Sequence, residues 1–301
     1  MFWEEIIARV STAYVLYMSE LCIDLDLSPD TLTSGWLCVM FMLSLLPLSV
    51  ERSVGRSVEK GVGRSVERNV EEVLQRIMAY VGMYLIVDHY LDSPEVSAVE
   101  KEDMLRWLRD PQPSSDARRN KLLELTKELC MEKESMQALV ELVIRSHRSQ
   151  YAAEMTVEDY MRVCEHKGGM TVLLGARIIY GASVRVSDDD LKRLGFCIQL
   201  LDDIADCSDD ARNNINTVCT QAVSTRGNID IAAWELLYQS TLLPRCLRYH
   251  AMMIRCLALR VIDKTHHVSV EMRTALGLCK EKKESKSFRM RTEKMLRGLF
   301  T

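Results

Sequence analysis

The stretch GFCIQLLDDIADCSDD, residues 195–210, sets Asp202, Asp203, Asp206, Asp209 and Asp210 behind a largely apolar turn. Carboxylates at that density repel, and on a helix the i, i+4 pair Asp202/Asp206 is destabilising unless a cation lies between them. Helix geometry stacks Asp202 and Asp206 with Asp203 beside them, so the spacing predicts three carboxylates facing one place. Hard oxygen ligands gathered this way suit Mg2+, which keeps several waters and is usually completed by substrate phosphates instead of an all-protein cage. A diphosphate bridged by Mg2+ answers the repulsion. Upstream, YLIVDHYLDSPE repeats the arrangement, with Asp88 and Asp92 again i, i+4 after an apolar run. Two such helices facing each other across a bundle would give an acidic rim over an apolar floor, a place for an amphiphile with a polyphosphate head and a hydrocarbon tail. The bland alternative for either cluster is a solvated acidic helix face, and it is the stronger one for Asp88 and Asp92 taken alone.

The elements that must position these residues read as helices throughout. The 301-residue chain has only 6 prolines and 13 glycines, and apolar residues recur at three- and four-residue spacing. The spacing predicts helices over 3–24, 30–46, 68–91, 98–109, 115–132, 134–153, 156–181, 188–207, 229–242, 244–263 and 268–298. Ser28, Thr156 and Ser187 stand at N-cap positions, and Gly181 and Gly227 at helix ends. No linker divides the chain, which reads as a single all-α domain spanning 1–301. The segment 51–73, ERSVGRSVEKGVGRSVERNVEEV, is an internal repeat with Val and Arg or Lys every fourth residue. A strict period of four drifts about 40° per step around an ideal helix, and three glycines weaken it further. It reads either as a basic surface for anionic lipid, phosphate or a partner, or as a solvated and partly mobile connection.

Composition narrows the classes. A net charge of −4 gives no global field for nucleic acid, so an anionic ligand must be held locally. The 10 cysteines are scattered singly without a CxxC, as expected for reduced thiols in a cytoplasmic protein, with neither disulfides nor zinc indicated. His89, His147 and His166 have no spacing that suits zinc. The N-terminus lacks the pattern of a cleaved signal. Residues 35–50, GWLCVMFMLSLLPLSV, are nearly all apolar but short of the roughly 20 residues a spanning helix needs, and Pro47 interrupts them. A buried core helix is the reading, with a membrane anchor as its alternative.

The residues also carry a resemblance. LGFCIQLLDDIAD is similar to the second aspartate-rich motif of trans-isoprenyl diphosphate synthases, G-x-x-x-Q-x-x-D-D-x-x-D, through Gly195, Gln199, Asp202, Asp203 and Asp206. VEDYMRVCEHKGGMTVLLGARIIYG resembles the helix in which these enzymes and their squalene or phytoene synthase relatives carry Tyr and then Lys or Ala-Gly. DHYLD stands where the first aspartate-rich motif belongs, and Gln150 with Glu154 where the family often has Gln and Asp. The similarity covers about residues 80–220, and the remainder is matched only by helical character. The chain departs from the chain-elongating members. It lacks their Gly-Gly-Lys-Arg element and the Arg-Arg pair after the first motif, which together hold isopentenyl diphosphate, and His89 replaces the first motif's second Asp.

What the resemblance implies is a class I isoprenoid synthase: a single-domain helical bundle with a central active-site cavity. Asp88, Asp92, Asp202, Asp203 and Asp206 would bind Mg2+, three ions with bound diphosphate, Mn2+ substituting. Lys167, Gln199 and Arg212 would contact the diphosphate, and Gly168 and Gly169 would let the helix approach the ligand. Asp88, Asp92, Asp202, Asp203 and Lys167 form the catalytic set. Tyr84, Phe196, Met170 and Tyr160 are candidates for an apolar wall shielding a carbocation, alongside Trp107, Tyr151 and Leu200. The missing co-substrate grip points to a terpene synthase-like enzyme acting on a C15 or C20 allylic diphosphate. The intact DDxxD keeps a prenyl diphosphate synthase open, and the eroded first motif an inactive regulatory homologue. A homodimer is expected, with 35–50 as a candidate interface, and neither nucleic acid nor a stable transmembrane anchor. Arg212, after the second motif, and Arg289 or Arg291 in the basic tail are further diphosphate contacts or plain surface residues.

Overall fold

A computed structural model describes residues 63–278 apart from 94, 130–132, 153–154, 182–183 and 185; the side chains of 63–71 and 133 are not described either. The helices expected over 3–24 and 30–46, the apolar run 35–50, residues 51–62 of the repeat, Glu154 and the basic tail with Arg289 and Arg291 lie outside the described residues. Within them all regular structure is helical, as the periodicity requires. The helices are α1 Gly63–Asp92, α2 Ala98–Arg109, α3 Ala117–Glu128, α4 Lys133–Gln150, α5 Val157–Tyr180, α6 Asp188–Arg212, α7 Val218–Arg226, α8 Asp230–Thr241, α9 Arg248–Lys264 and α10 Val270–Ala275, with a 3-10 turn Arg245–Leu247 before α9. No helix among the described residues is long and apolar enough to cross a membrane.

Contacts group the chain into two compact units, Met1–Glu141 with Leu174–Arg185 and Leu142–Leu173 with Val186–Thr301. In the first, α1 packs on α3. Ile77, Tyr80, Ile86, Tyr90 and Leu91 of α1 join Met104, Leu105 and Leu108 of α2 and Leu122 and Leu125 of α3 in the buried set. The α2 start is fixed by a capping box between Ser97 and Glu100, and α3 by Asp116, whose carboxylate accepts the Arg118 and Arg119 amide protons. In the second unit α6 is the central helix, flanked by α7, α8 and α9. Its Leu191, Leu194, Cys197, Leu200 and Ile204 are buried, as are Ala232, Ala233 and Leu236 of α8 and Ile254, Ala258 and Ile262 of α9.

Caps behave as their residue types dictate. Ser187 accepts from the Asp190 amide, Thr156 from that of Asp159, and Gly181 and Gly227 take positive φ of 57° and 75° at helix ends. Four boundaries differ from the expectation. The repeat is helical from Gly63 onward and not a connection there, because elongating α1 from its buried body costs far less than nucleating a new helix. The α6 helix runs beyond 207 to Arg212 and stops where Asn214 adopts positive φ. The α7 helix was not expected: nine residues with β-branched side chains carry little periodicity, and its start depends on a Thr217/Thr220 capping box. The helix expected over 268–298 breaks after Ala275. Gly277 takes φ 68°, and the Leu278 amide turns back to the Arg273 carbonyl.

Candidate functional site

Where α5 meets α6, both helices present glycine. A Cβ on Gly168 would stand 2.3 Å from the Gly195 carbonyl oxygen and 2.6 Å from Gln199 Cβ, and one on Gly195 would stand 2.0 Å from the Gly168 carbonyl oxygen. Gly169 packs against Lys192 in the same way, at 3.1 Å for a hypothetical Cβ. These glycines bring helix to helix, which corrects the expectation that Gly168 and Gly169 make room for a ligand. Two helices in backbone contact hold the residues one turn away in a fixed register. Cys164, four residues before Gly168, therefore meets Asp203, eight after Gly195, with the thiol bonded to the carboxylate.

Asp203 is 7% exposed and surrounded by donors. Gln199 Nε2 donates to its Oδ1 at 2.9 Å and reaches Asp202 Oδ2 at 3.3 Å. The Val218 amide, at the first turn of α7, and the Cys164 thiol also donate to it, and Lys167 lies close enough to act on its charge. Burial raises the Asp203 carboxyl above its ordinary range, against the pull of Gln199, Lys167, Cys164 and Val218. The three carboxylates therefore do not all face one place. Asp203 points inward and ties α5, α6 and α7 together, while Asp202 and Asp206 are exposed on α6. The reason is rotation: Gly195, Gln199 and Asp203 follow one another at i, i+4 and i+8 along the face turned to α5, and Asp202 and Asp206 belong to the next stripe.

Lys167 is half-buried on α5, next to Gly168, and its charge is felt by both Asp203 and Cys164; Asp202 acts on the same thiol. One cluster thus unites Lys167, Gln199, Asp202 and Asp203 of the expected set. Cys164, which spacing did not single out, is its fifth member, and its i, i+4 relation to Gly168 is the signal that would have found it. Burial pushes this thiol well up, so it is a neutral donor and not a nucleophile. Cys207 and Cys219 hydrogen-bond to each other on α6 and α7, and the Asp203 charge acts on both.

The other expected residues are placed as follows. Arg212 pairs with Asp209, one turn back on α6, and its Nε donates to the Ser208 carbonyl at 3.4 Å. The Gln150 carbonyl accepts from the Asn216 amide at 3.0 Å, which ties the connection between α6 and α7 to the end of α4. Tyr160 is buried and its hydroxyl donates to the Ala152 carbonyl at 3.1 Å; Phe196 and Leu200 are buried in the core, and Met170 is half-buried on α5. Tyr151 is exposed, with its ring against His147.

In the first unit Tyr84, Asp88 and Asp92 form the half-buried i, i+4, i+8 stripe of α1. Lys101, buried on α2, feels the Asp92 charge, although burial still lowers its affinity for a proton. Arg118 and Arg119 gather near the intervening Tyr90, Arg118 over its ring at 5.6 Å. Arg119 stacks over Trp107 at 5.7 Å and bonds Asp103 at 2.5 Å. Trp107 donates to the Gln112 carbonyl at 2.9 Å and is an anchor of this corner, not a free wall.

Among the described residues no group of three or more His, Cys, Asp or Glu side chains is gathered as a complete metal site. The donor chemistry fits a partial one. Asp202 with Asp206, exposed on α6, and Asp88 with Asp92, half-buried on α1, are i, i+4 carboxylate pairs, the kind of incomplete oxygen shell that Mg2+ completes with water and phosphate. Asp203, committed to four neighbours, fits a supporting role. Comparison of the chain with protein-family models, with characterised proteins and with solved structures finds no match in any of the three.

Proposed function

We propose that this chain is a Mg2+-dependent, class I terpene synthase-like enzyme with the helical bundle of that class, ionising a C15 or C20 allylic prenyl diphosphate to a hydrocarbon or alcohol. One observation carries the reading: Lys167 of α5 lies close enough to Asp203 to act on its charge, which sets an amine beside the aspartate-rich turn of α6, one stripe from the exposed Asp202/Asp206 pair. Lys167 supplies a fixed positive charge for a diphosphate. Asp202 and Asp206 are the metal-facing carboxylates, held in register by the Gln199 amide and the buried Asp203 below them. Asp88 and Asp92 have the same role on α1. Mg2+, when bound, neutralises diphosphate charge and makes it a better leaving group.

As the allylic C–O bond breaks, the electron pair departs with the diphosphate oxygen, and Lys167 stabilises the charge that grows there. The cation left behind must be kept from bulk water by apolar side chains until it loses a proton to give a hydrocarbon, or takes up one water and loses a proton to give an alcohol. Of the expected wall, Met170 lies one turn from Lys167 on α5, whereas Tyr160 is committed to Ala152 and Phe196 to the core.

A prenyl diphosphate synthase is the second reading, favoured by the complete Gln199, Asp202, Asp203, Asp206 series on α6. Incubating the purified chain with Mg2+ and geranyl, farnesyl or geranylgeranyl diphosphate, with and without isopentenyl diphosphate, separates the two by mass spectrometry. A hydrocarbon or alcohol formed without isopentenyl diphosphate, and lost in Asp202→Ala, supports the first. A longer diphosphate formed only with it replaces the first by the second. No product from any substrate overturns both and leaves an inactive homologue.

A further inference from the structure

We propose that the α8–α9 hairpin is a membrane-surface docking face that seats the second unit on an anionic lipid bilayer. Of the seven exposed large apolar side chains among the described residues, four fall within sixteen residues here: Trp234 at 62%, Tyr238 at 51%, Leu242 at 41% and Tyr249 at 51% exposure. Trp234, Tyr238 and Leu242 succeed one another at i, i+4 and i+8, one stripe of α8 that continues into its C-cap. Trp and Tyr are the side chains that pair an apolar body with a polar tip and settle at the headgroup level of a bilayer. Nothing in the packing of α8 requires them outside, since Ala232, Ala233 and Leu236 already supply its buried face.

Charge selects the occupant. The hairpin Asp230–Lys264 holds exposed Arg245, Arg248, Arg255, Arg260 and Lys264 against Asp230, Glu235 and Asp263, an excess of positive charge in a chain whose net charge is −4. Glu235 is half-buried and accepts from Gln239 at 2.8 Å. On α6, Asp190 is paired with Arg193, whose guanidinium reaches the Leu242 carbonyl at 3.5 Å. Arg248 lies over the Tyr249 ring at 4.7 Å, so cation and aromatic present as one unit. A second copy docking by the same face would set these arginines against themselves, and the segment 280–297, rich in Lys and Arg, carries the same sign of charge. An anionic lipid surface meets both demands at once, with headgroups for the arginines and the interfacial zone for the rings.

Sedimentation of the full chain with phosphatidylcholine vesicles, with and without phosphatidylserine, tests this. Binding is expected to the phosphatidylserine vesicles and to weaken with added salt. The double variant W234A/Y238A should lower the partition coefficient about tenfold or more through lost apolar burial. R245E/R248E should abolish the preference for phosphatidylserine. All four positions are exposed, so unchanged circular dichroism and thermal midpoint serve as the folding control. No binding to either vesicle overturns the proposal. So does binding that both variants retain, which would place the contact elsewhere in the chain. Self-association that W234A/Y238A removes, without vesicle binding, would assign the face to a second copy instead. Competition by single-stranded RNA at equal strength, lost in R245E/R248E only, would assign it to nucleic acid.

Discussion

Adjacent aspartates on α6 do different jobs because of a rotation of about 100° between them. Asp202 is exposed and replaceable in the fold, and Asp203 is enclosed by Gln199, Cys164 and Val218. Asp203→Ala strands these donors and leaves a void, so it should destabilise the protein by about 2 to 3 kcal/mol. Asp202→Ala should stay within about 0.5 kcal/mol of the parent. Urea unfolding of the two variants reads this directly, and equal losses would show that Asp203 is not the tie described here. In the diphosphate assay the ranking should invert for folded protein: Asp202→Ala and Lys167→Ala lose product outright, with Lys167→Arg retaining part of the charge.

Helices α5 and α6 owe their register to glycine, and the cost of changing it depends on what a Cβ would meet. Gly195→Ala drives a methyl group into the Gly168 carbonyl, which cannot yield without parting the helices, so a loss of at least about 3 kcal/mol is expected. Gly181→Ala meets nothing within 4 Å and pays only for its positive φ, about 1 to 2 kcal/mol. Thermal or denaturant melts of the pair would settle whether close approach or backbone freedom is the larger demand. The α5 start gives a pH signature. Hydrogen bonds from Thr156 and, to a lesser extent, the charge of Arg162 hold the Asp159 carboxyl below its ordinary 3.8. A depressed folded value means that the folded state releases the proton first. The stabilisation is therefore present above the ordinary value and lost as pH falls through the lowered one. Asp159→Asn should flatten that part of the acid limb relative to the parent in unfolding curves taken at successive pH.

Across the molecule, burial sorts the six cysteines among the described residues into two groups with different chemistry. Cys164, Cys197, Cys207, Cys219 and Cys256 are buried and Cys246 is exposed. Desolvation pushes the Cys197 thiol up to about 12 and those of Cys164 and Cys219 well upward, which suppresses the thiolate. Under native conditions iodoacetamide should modify Cys246 among these six, and the rest only after denaturation, as read by peptide mass spectrometry. Early labelling of Cys164 would show that the α5–α6 contact opens. On the proposed function, product formation should require a divalent cation, fall to background in EDTA and return with Mg2+, since neither the exposed Asp202/Asp206 pair nor the half-buried Asp88/Asp92 pair completes a site without an outside charge.

The sequence by itself determined the helices, because a 3.6-residue apolar period and Ser, Thr and Asp caps act over a few neighbouring residues. Helix α2 falls on its expected bounds, and the Ser187 and Thr156 caps stand where their spacing placed them. It also determined which residues share a turn, and so the pairs Asp202/Asp206 and Asp88/Asp92. It did not decide facing. The i, i+4 rule holds for every stripe of α6, and only the contact of Gly168 with Gly195 selects the stripe carrying Gln199 and Asp203 as the inner one. The same contact gives Cys164 its place, gives the glycines their purpose, and sets Lys167 near Asp203. Short α7 and the end of α10 also waited on the tertiary structure, since one depends on two threonines closing a cap and the other on a glycine taking positive φ. Local spacing fixes what each helix offers, and only packing against a neighbour decides which of its faces meets solvent.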